Sequence, residues 1–201
     1  MSDYNLILAS ASPRRQELLN QVGVEFQVKS QDIDESLRAD EEALDYVCRM
    51  AKEKAQSALA KLEADSPFLV LAADTVVVCD DIIMGKPLDQ KQSASMLAKL
   101  SGRDHRVLSA ISLATTKRSE SAVSQSLVTF RDISQQEAIA YWQSGEPAGK
   151  AGSYAIQGIG AVFVQNLVGS YSGVMGLPLY ETALLLGKFG INCITNLRAK
   201  S

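Results

Sequence analysis

Residues 5 to 23 read NLILASASPRRQELLNQVG. The stretch opens with the apolar run Asn5 to Ala9, of strand length, and continues into a helix. Ser12 stands as N-cap, Pro13 takes the first helical position, Leu18, Leu19 and Val22 make the inner face, and Gly23 is the stop. A buried strand that feeds a helix through a short polar turn is the building unit of α/β architecture. The turn also has a chemical consequence. A helix N-terminus presents free backbone N–H groups and the positive end of the helix dipole, so Ser10, Ser12, Arg14 and Arg15 form a candidate phosphate clamp. A plain cap followed by two solvated arginines accounts for the same residues.

The remainder of the chain alternates in the same manner. VEFQV (24–28) reads as a second strand, followed by the polar, acidic loop KSQDIDES. A helix is predicted over 41–62, with apolar positions 43, 47, 50, 51, 58 and 62, and Lys54 lies on that apolar stripe. PFLVLAADTVVVCDD reads as a central strand interrupted at Asp74 and Thr75, turning at Asp80 and Asp81 into IIMGKP. A helix is predicted over 89–100, strands in RVLSAISLAT and AVSQSLVTFRDI, and a helix in SQQEAIAYWQSG with a Ser134/Glu137 capping box and Gly145 as its end. A glycine-rich segment from Gly145 to Gly160 leads to a strand in AVFV, and a last helix is predicted from Pro178 to about Lys188. No repeat or linker is visible, so the expectation is α/β with a mixed sheet in a single unit, 1–201.

Composition bounds the function. With 201 residues, 46% of them hydrophobic, the chain has enough material for a sizeable core. Its 23 acidic and 20 basic residues give a net charge of -3, which offers no general attraction to nucleic acid or to an anionic membrane. Any anion site must therefore be local. Three dispersed cysteines, Cys48, Cys79 and Cys193, without CxxC spacing argue against a disulfide framework and a zinc cluster, and favour a reducing cytoplasm. The longest apolar runs are far shorter than the roughly 20 residues of a membrane span.

Within that frame a few residues are out of place. Asp74 is an ionisable carboxylate in an apolar strand, and is costly there unless it is paired, metal-bound or at a solvent end. Structural and catalytic roles fit it equally. Asp32, Asp34 and Glu35 in DIDES are either solvated or metal oxygens. Lys54 either snorkels or neutralises phosphate, and Lys86 of GKP either closes a turn or does the same. Other chemistries fall away. MGKP and AGKAGS lack the P-loop spacing, GIGAVF lacks the rest of a dinucleotide fingerprint, and no G-x-S-x-G elbow occurs. His105 is the only histidine and reads as a solvated or strand-edge residue, which removes His-based triads. Tyr141 and Trp142 read as core or rim packing rather than a base-stacking platform.

Seven segments taken in order, LILASASPRRQELL, DIDE, AKEKA, AADTVV, GKP, KAGSYAIQGIGAVFV and GSYSGVMGLPL, resemble the Maf family of nucleoside triphosphate pyrophosphatases over nearly the whole chain. The resemblance implies an inosine triphosphate pyrophosphatase-like (Maf/Ham1) fold: an elongated mixed sheet flanked by helices, with one cleft between two lobes, in a homodimer. It implies that Asp74 is the proton acceptor and that Ser12, Arg15, Lys54 and Lys86 bind the triphosphate. Glu35 and Asp74 are implied as ligands of a divalent metal, Mg²⁺ or Mn²⁺. Arg14, Thr75 and Gln157 look like the branch acting on dTTP and UTP, with modified pyrimidine triphosphates as further candidates; the sister branch acts on 7-methyl-GTP. A nucleotide-binding regulator of cell division is the alternative from another class.

Overall fold

Phe68 to Cys79 forms one strand of twelve residues, β3, and the rest of the fold is arranged on it. The structure is a computed structural model, and it describes residues 4–63 and 67–194. Asn5–Leu8 (β1) pairs with β3 in parallel, Leu8 opposite Leu71, and the two-residue strand Gln27–Val28 (β2) pairs in parallel with β1. On the other side Asp104–Ala114 (β5), Ser119–Phe130 (β6) and Val164–Val168 (β7) follow as antiparallel neighbours. Ile82–Met84 (β4) turns back antiparallel onto the far end of β3, Val77 opposite Met84. The sheet is therefore mixed, in the order β2-β1-β3-β5-β6-β7.

Two strands share one edge of β3. β1 covers Phe68 to Leu71 and β4 covers Val77 to Cys79, so among the described residues no strand pairs with Ala72 to Val76 on that edge. Ala9 closes the β1 side by donating its N–H to the Leu71 carbonyl, and the chain then leaves the sheet as the Ser10–Ser12 turn. The opening in the edge is where the site forms.

The period-two alternation of β3 sorts its side chains onto two faces. Val70, Ala72, Val76 and Val78 meet the helix Ala43–Leu59 (α2) through Ala55, Ala58, Val47 and Ala51. Leu69, Leu71 and Ala73 point the other way, into a core completed by Leu18 and Leu19 of Pro13–Gln21 (α1) and by Leu185 and Leu186 of Leu179–Lys188 (α6). Each fully buried Leu or Val contributes roughly 1.5–3 kcal/mol of transfer free energy. Gln90–Leu100 (α3) and Gln135–Gln143 (α4) pack against the β4 end, around Leu97, Leu100 and Phe130.

Several expectations change. β3 runs unbroken through Asp74 and Thr75, because successive strand residues alternate faces and each polar side chain finds its own partners. The second strand shrinks to Gln27–Val28, and α2 ends at Leu59, before a turn. Residues 159–163 form a 3₁₀ turn ahead of β7, so the apolar AVFV run is mostly not strand. A short helix at Tyr171–Met175 (α5) was not visible in the pattern. The predicted capping box on α4 is present, with the Ser134 side chain and Glu137 in reciprocal bonds.

Candidate active site

The N-terminus of α1 faces the bare edge of β3. Ser12 has the extended backbone of an N-cap, but its side chain makes no capping bond, and its N–H donates instead to Ser10 Oγ at 3.2 Å. The expected cap is thus present in backbone form only, which leaves the Ser12 hydroxyl for another partner. Arg15, one turn in, is held across the gap by three oxygens. Its guanidinium donates to the Gly176 carbonyl at 2.8 Å, to Ser10 Oγ at 3.2 Å and to Thr75 Oγ1 at 3.4 Å. Arg14 donates to the Met175 carbonyl at 3.2 Å. Among the described residues neither arginine forms a salt bridge. Burial lowers the pKa of both, opposed at Arg15 by the charge of Asp74 and at Arg14 by that of Glu17. Two partly buried guanidiniums without contacting carboxylates are suited to receive an anion.

Thr75 is backed by a residue that the sequence reading did not single out. Its hydroxyl lies 2.7 Å from Ser109 Oγ, its register partner on β5, and Ser109 donates to the Gly173 carbonyl of α5 at 2.6 Å. Ser109 sits in an apolar run, and only strand pairing reveals it.

On the opposite face of β3, Asp74 meets Lys54 of α2. The two are 9% and 8% exposed, and Lys54 Nζ donates to Asp74 Oδ1 at 2.8 Å. Lys54 does not snorkel: the same ammonium is 2.6 Å from Glu35 Oε1, and Lys86 Nζ is 3.5 Å from Glu35 Oε2. Burial pushes the Glu35 carboxyl up, but the hydrogen bond and charge of Lys54, helped by Lys86, bring it below its ordinary value. Tyr46 donates its hydroxyl to the Glu35 carbonyl at 2.9 Å; burial and the charges of Asp74 and Glu35 push its pKa up to about 12.

Ser10, Ser12, Arg14, Arg15, Glu35, Lys54, Asp74, Thr75 and Lys86 line a single cleft of about 490 Å³, together with Gln157, Lys150 and Tyr154. Every residue assigned to the site from the sequence, Ser12, Arg14, Arg15, Glu35, Lys54, Asp74, Thr75, Lys86 and Gln157, faces it. Asp74 and Thr75 reach it from opposite faces because the cleft passes around the unpaired edge. Asp32 and Asp34 do not take part; the Asp34 carboxylate accepts from the Ser36 N–H. His105 is not solvated either. It is 2% exposed, with Nε2 2.9 Å from the Tyr154 hydroxyl behind the cleft wall.

A divalent cation is compatible with part of this set. Glu35 and Asp74 converge on the Lys54 ammonium, so two hard oxygen donors already surround one positive charge, a pattern that Mg²⁺ uses together with substrate phosphates. Among the described residues no cluster of three carboxylate, imidazole or thiol ligands occurs, so the remaining ligands would come from phosphate oxygens and water. No helix among those residues is long and apolar enough to cross a membrane.

A family model described as Maf-like protein matches residues 5–189. The chain is 53% identical to the dTTP/UTP pyrophosphatase of Methylococcus capsulatus (strain ATCC 33009 / NCIMB 11132 / Bath), over 94% of this chain and 93% of the relative. It is 49% identical to the dTTP/UTP pyrophosphatase of Vibrio parahaemolyticus serotype O3:K6 (strain RIMD 2210633), over 92% and 97%. Among solved structures, a nucleoside-triphosphatase (dITP/XTP pyrophosphatase) from Mycobacterium abscessus ATCC 19977 aligns over 92% of this chain and 96% of its own, at 16% identity and a TM-score of 0.45, a distant likeness in outline.

Proposed function

Since the chain belongs to the Maf family, we propose that it is a nucleoside triphosphate pyrophosphatase that hydrolyses dTTP and UTP to the monophosphate and pyrophosphate. The observation that carries the reading is the cleft itself. It joins an arginine-bearing helix N-terminus, with no contacting carboxylate, to a buried Lys54–Asp74 pair, from positions scattered over the whole chain.

The residues divide the reaction between them. The α1 N-terminus, the Ser12 hydroxyl and the remaining N–H donors of Arg15 take the triphosphate oxygens. Arg15 needs little reorganisation to do so, because Gly176, Ser10 and Thr75 already fix its plane. Water attacks the α-phosphorus, the bond to the α–β bridging oxygen breaks, and its electron pair leaves on pyrophosphate. Asp74 accepts the proton of the water. Lys54 holds the Asp74 carboxylate in place, and Lys86 and Arg15 meet the charge that develops on the leaving group. A Mg²⁺ or Mn²⁺ ion held by Glu35 and Asp74 would neutralise phosphate charge and polarise the α-phosphoryl group.

Base selection falls to Gln157, with Arg14 and Thr75 shaping the pocket. Uracil and thymine present an N3–H donor flanked by two carbonyl acceptors, and a carboxamide both donates and accepts. Gln157 is exposed and lines the cleft, and no side-chain hydrogen bond holds its amide among the described residues. The free state of Cys48, Cys79 and Cys193 supports action in a reducing cytoplasm. Assembly as a homodimer, and action of the whole chain as one domain, rest on the family resemblance.

Pyrophosphate release measured across the canonical ribo- and deoxyribonucleoside triphosphates, with Mg²⁺ and with Mn²⁺, tests the proposal. dTTP and UTP are expected to lead the panel. A purine triphosphate in front would refute the base assignment, and no release from any substrate would refute the activity.

A further inference from the structure

Gln157 stands at the tip of a turn closed by the Gly158 N–H donating to the Ala155 carbonyl at 3.2 Å. A turn of this kind does not by itself hold its tip against the cleft. Its two ends are fixed from outside. The hydroxyl of Tyr141, a buried residue on α4, accepts from the Ala155 N–H at 3.1 Å and donates to Glu146 Oε1 at 2.6 Å. The same Glu146 carboxylate accepts from the Ile159 N–H at 2.8 Å and the Gly160 N–H at 2.9 Å. One phenol and one carboxylate thus bind the backbone on both sides of Gln157.

The approach is close enough to dictate residue type. A Cβ at Gly158 would overlap the Glu146 carboxylate, and one at Gly160 would overlap the Tyr141 hydroxyl and the Ala155 carbonyl. Burial raises the Glu146 carboxyl, but the Tyr141 hydroxyl and the two backbone N–H groups bring it below its ordinary value. Glycine at 158 and 160 thus lets the Glu146 carboxylate and the Tyr141 hydroxyl approach the loop this closely.

We infer that Glu146, together with Tyr141, is a positioning residue for base recognition: it sets where Gln157 presents its amide to the nucleobase. The inference rests on the reading of Gln157 as the base reader. Glu146 itself points its oxygens at the loop backbone and touches no reacting atom. A glutamine at 146 has one acceptor oxygen in place of two, so it leaves at least one of the loop N–H groups facing a donor. The loop then loosens, and discrimination suffers before chemistry does.

The test compares UTP with CTP, whose ring differs at the edge a carboxamide would read: an amine replaces one carbonyl, and N3 becomes an acceptor. Steady-state kinetics are run on the wild type, Glu146→Gln, Tyr141→Phe and Gln157→Ala. Glu146→Gln is expected to lower the UTP/CTP ratio of kcat/KM roughly tenfold, mainly through a higher KM for UTP, with kcat and the Mg²⁺ requirement little changed. Tyr141→Phe, which keeps the ring against Phe163, is expected to move the ratio in the same direction and decides the matter if Glu146→Gln does not fold. An unchanged ratio in a folded Glu146→Gln or Tyr141→Phe, with equal losses on both nucleotides, overturns the inference while Gln157→Ala still shifts the ratio. If Gln157→Ala leaves the ratio unmoved, the base-reading role of Gln157 falls, and this inference falls with it.

Discussion

The Lys54 ammonium lies 2.8 Å from Asp74 Oδ1 across the space between helix α2 and strand β3, with both residues almost wholly enclosed. Helix and strand each carry one charge that its own apolar pattern does not accommodate; the two meet each other, and Glu35 closes on the same ammonium at 2.6 Å. Removing one partner of such a pair leaves the other charge buried and costs about 3–5 kcal/mol. Lys54→Met is accordingly expected to lower stability to urea by about that much, and Lys54→Met with Asp74→Asn to recover most of the loss. A cost for Lys54→Met no larger than the ~1 kcal/mol of an exposed pair would mean that the pairing contributes little.

Asp74→Asn alone keeps the shape of the carboxylate and a hydrogen-bond acceptor for Lys54, but removes the proton acceptor. Turnover of dTTP is expected to fall roughly 10²- to 10⁴-fold, with KM changed little. Near-normal turnover in this variant would take Asp74 out of the reaction.

Glu35→Gln addresses the cation. The variant keeps an oxygen near Lys54 and Lys86 but weakens a hard ligand, so the Mg²⁺ concentration for half-maximal rate should rise. Exhaustive chelation should abolish activity, and added Mg²⁺ should restore it. Full turnover after chelation would contradict the metal assignment.

His105 predicts an acid-sensitive term in stability. Burial lowers its pKa from the ordinary 6.5 to about 4, opposed by the charge of Asp104. Because the folded value lies below the unfolded one, the unfolded chain binds the proton first. The contribution is therefore complete above pH 6.5 and is lost as pH falls towards 4. Urea unfolding should show about 2 kcal/mol less stability at pH 5 than at pH 7 from this residue. His105→Gln, which retains a partner for the Tyr154 hydroxyl, should remove that difference, and an unchanged acid loss would assign it to other groups.

Local pattern marked part of the site by residues that violate it, while their roles, and Gln157 altogether, came from the family resemblance. A carboxylate in an apolar strand, a lysine on an apolar helix stripe and paired arginines at a helix start each stand out against their neighbours. What local pattern does not carry is pairing. Ser109 backs Thr75 through strand register, and Glu146 holds the Gln157 turn through contacts between segments that lie apart in the chain. His105 read as solvated or at a strand edge because Arg103, Asp104 and Arg106 surround it in sequence. In β5 the alternation turns it inward, against Phe130 and Tyr154. The same alternation explains why Asp74 and Thr75 do not interrupt β3: one meets α2, the other Arg15.

The most direct measurement is hydrolysis of dTTP in ¹⁸O-labelled water with mass analysis of both products. Attack at the α-phosphorus predicts dTMP and pyrophosphate, with the label in dTMP. Label in pyrophosphate would place the attack on the β-phosphorus, and formation of dTDP with orthophosphate would mean that the β–γ bond breaks instead of the α–β bond. Either result would contradict the mechanism assigned to this cleft.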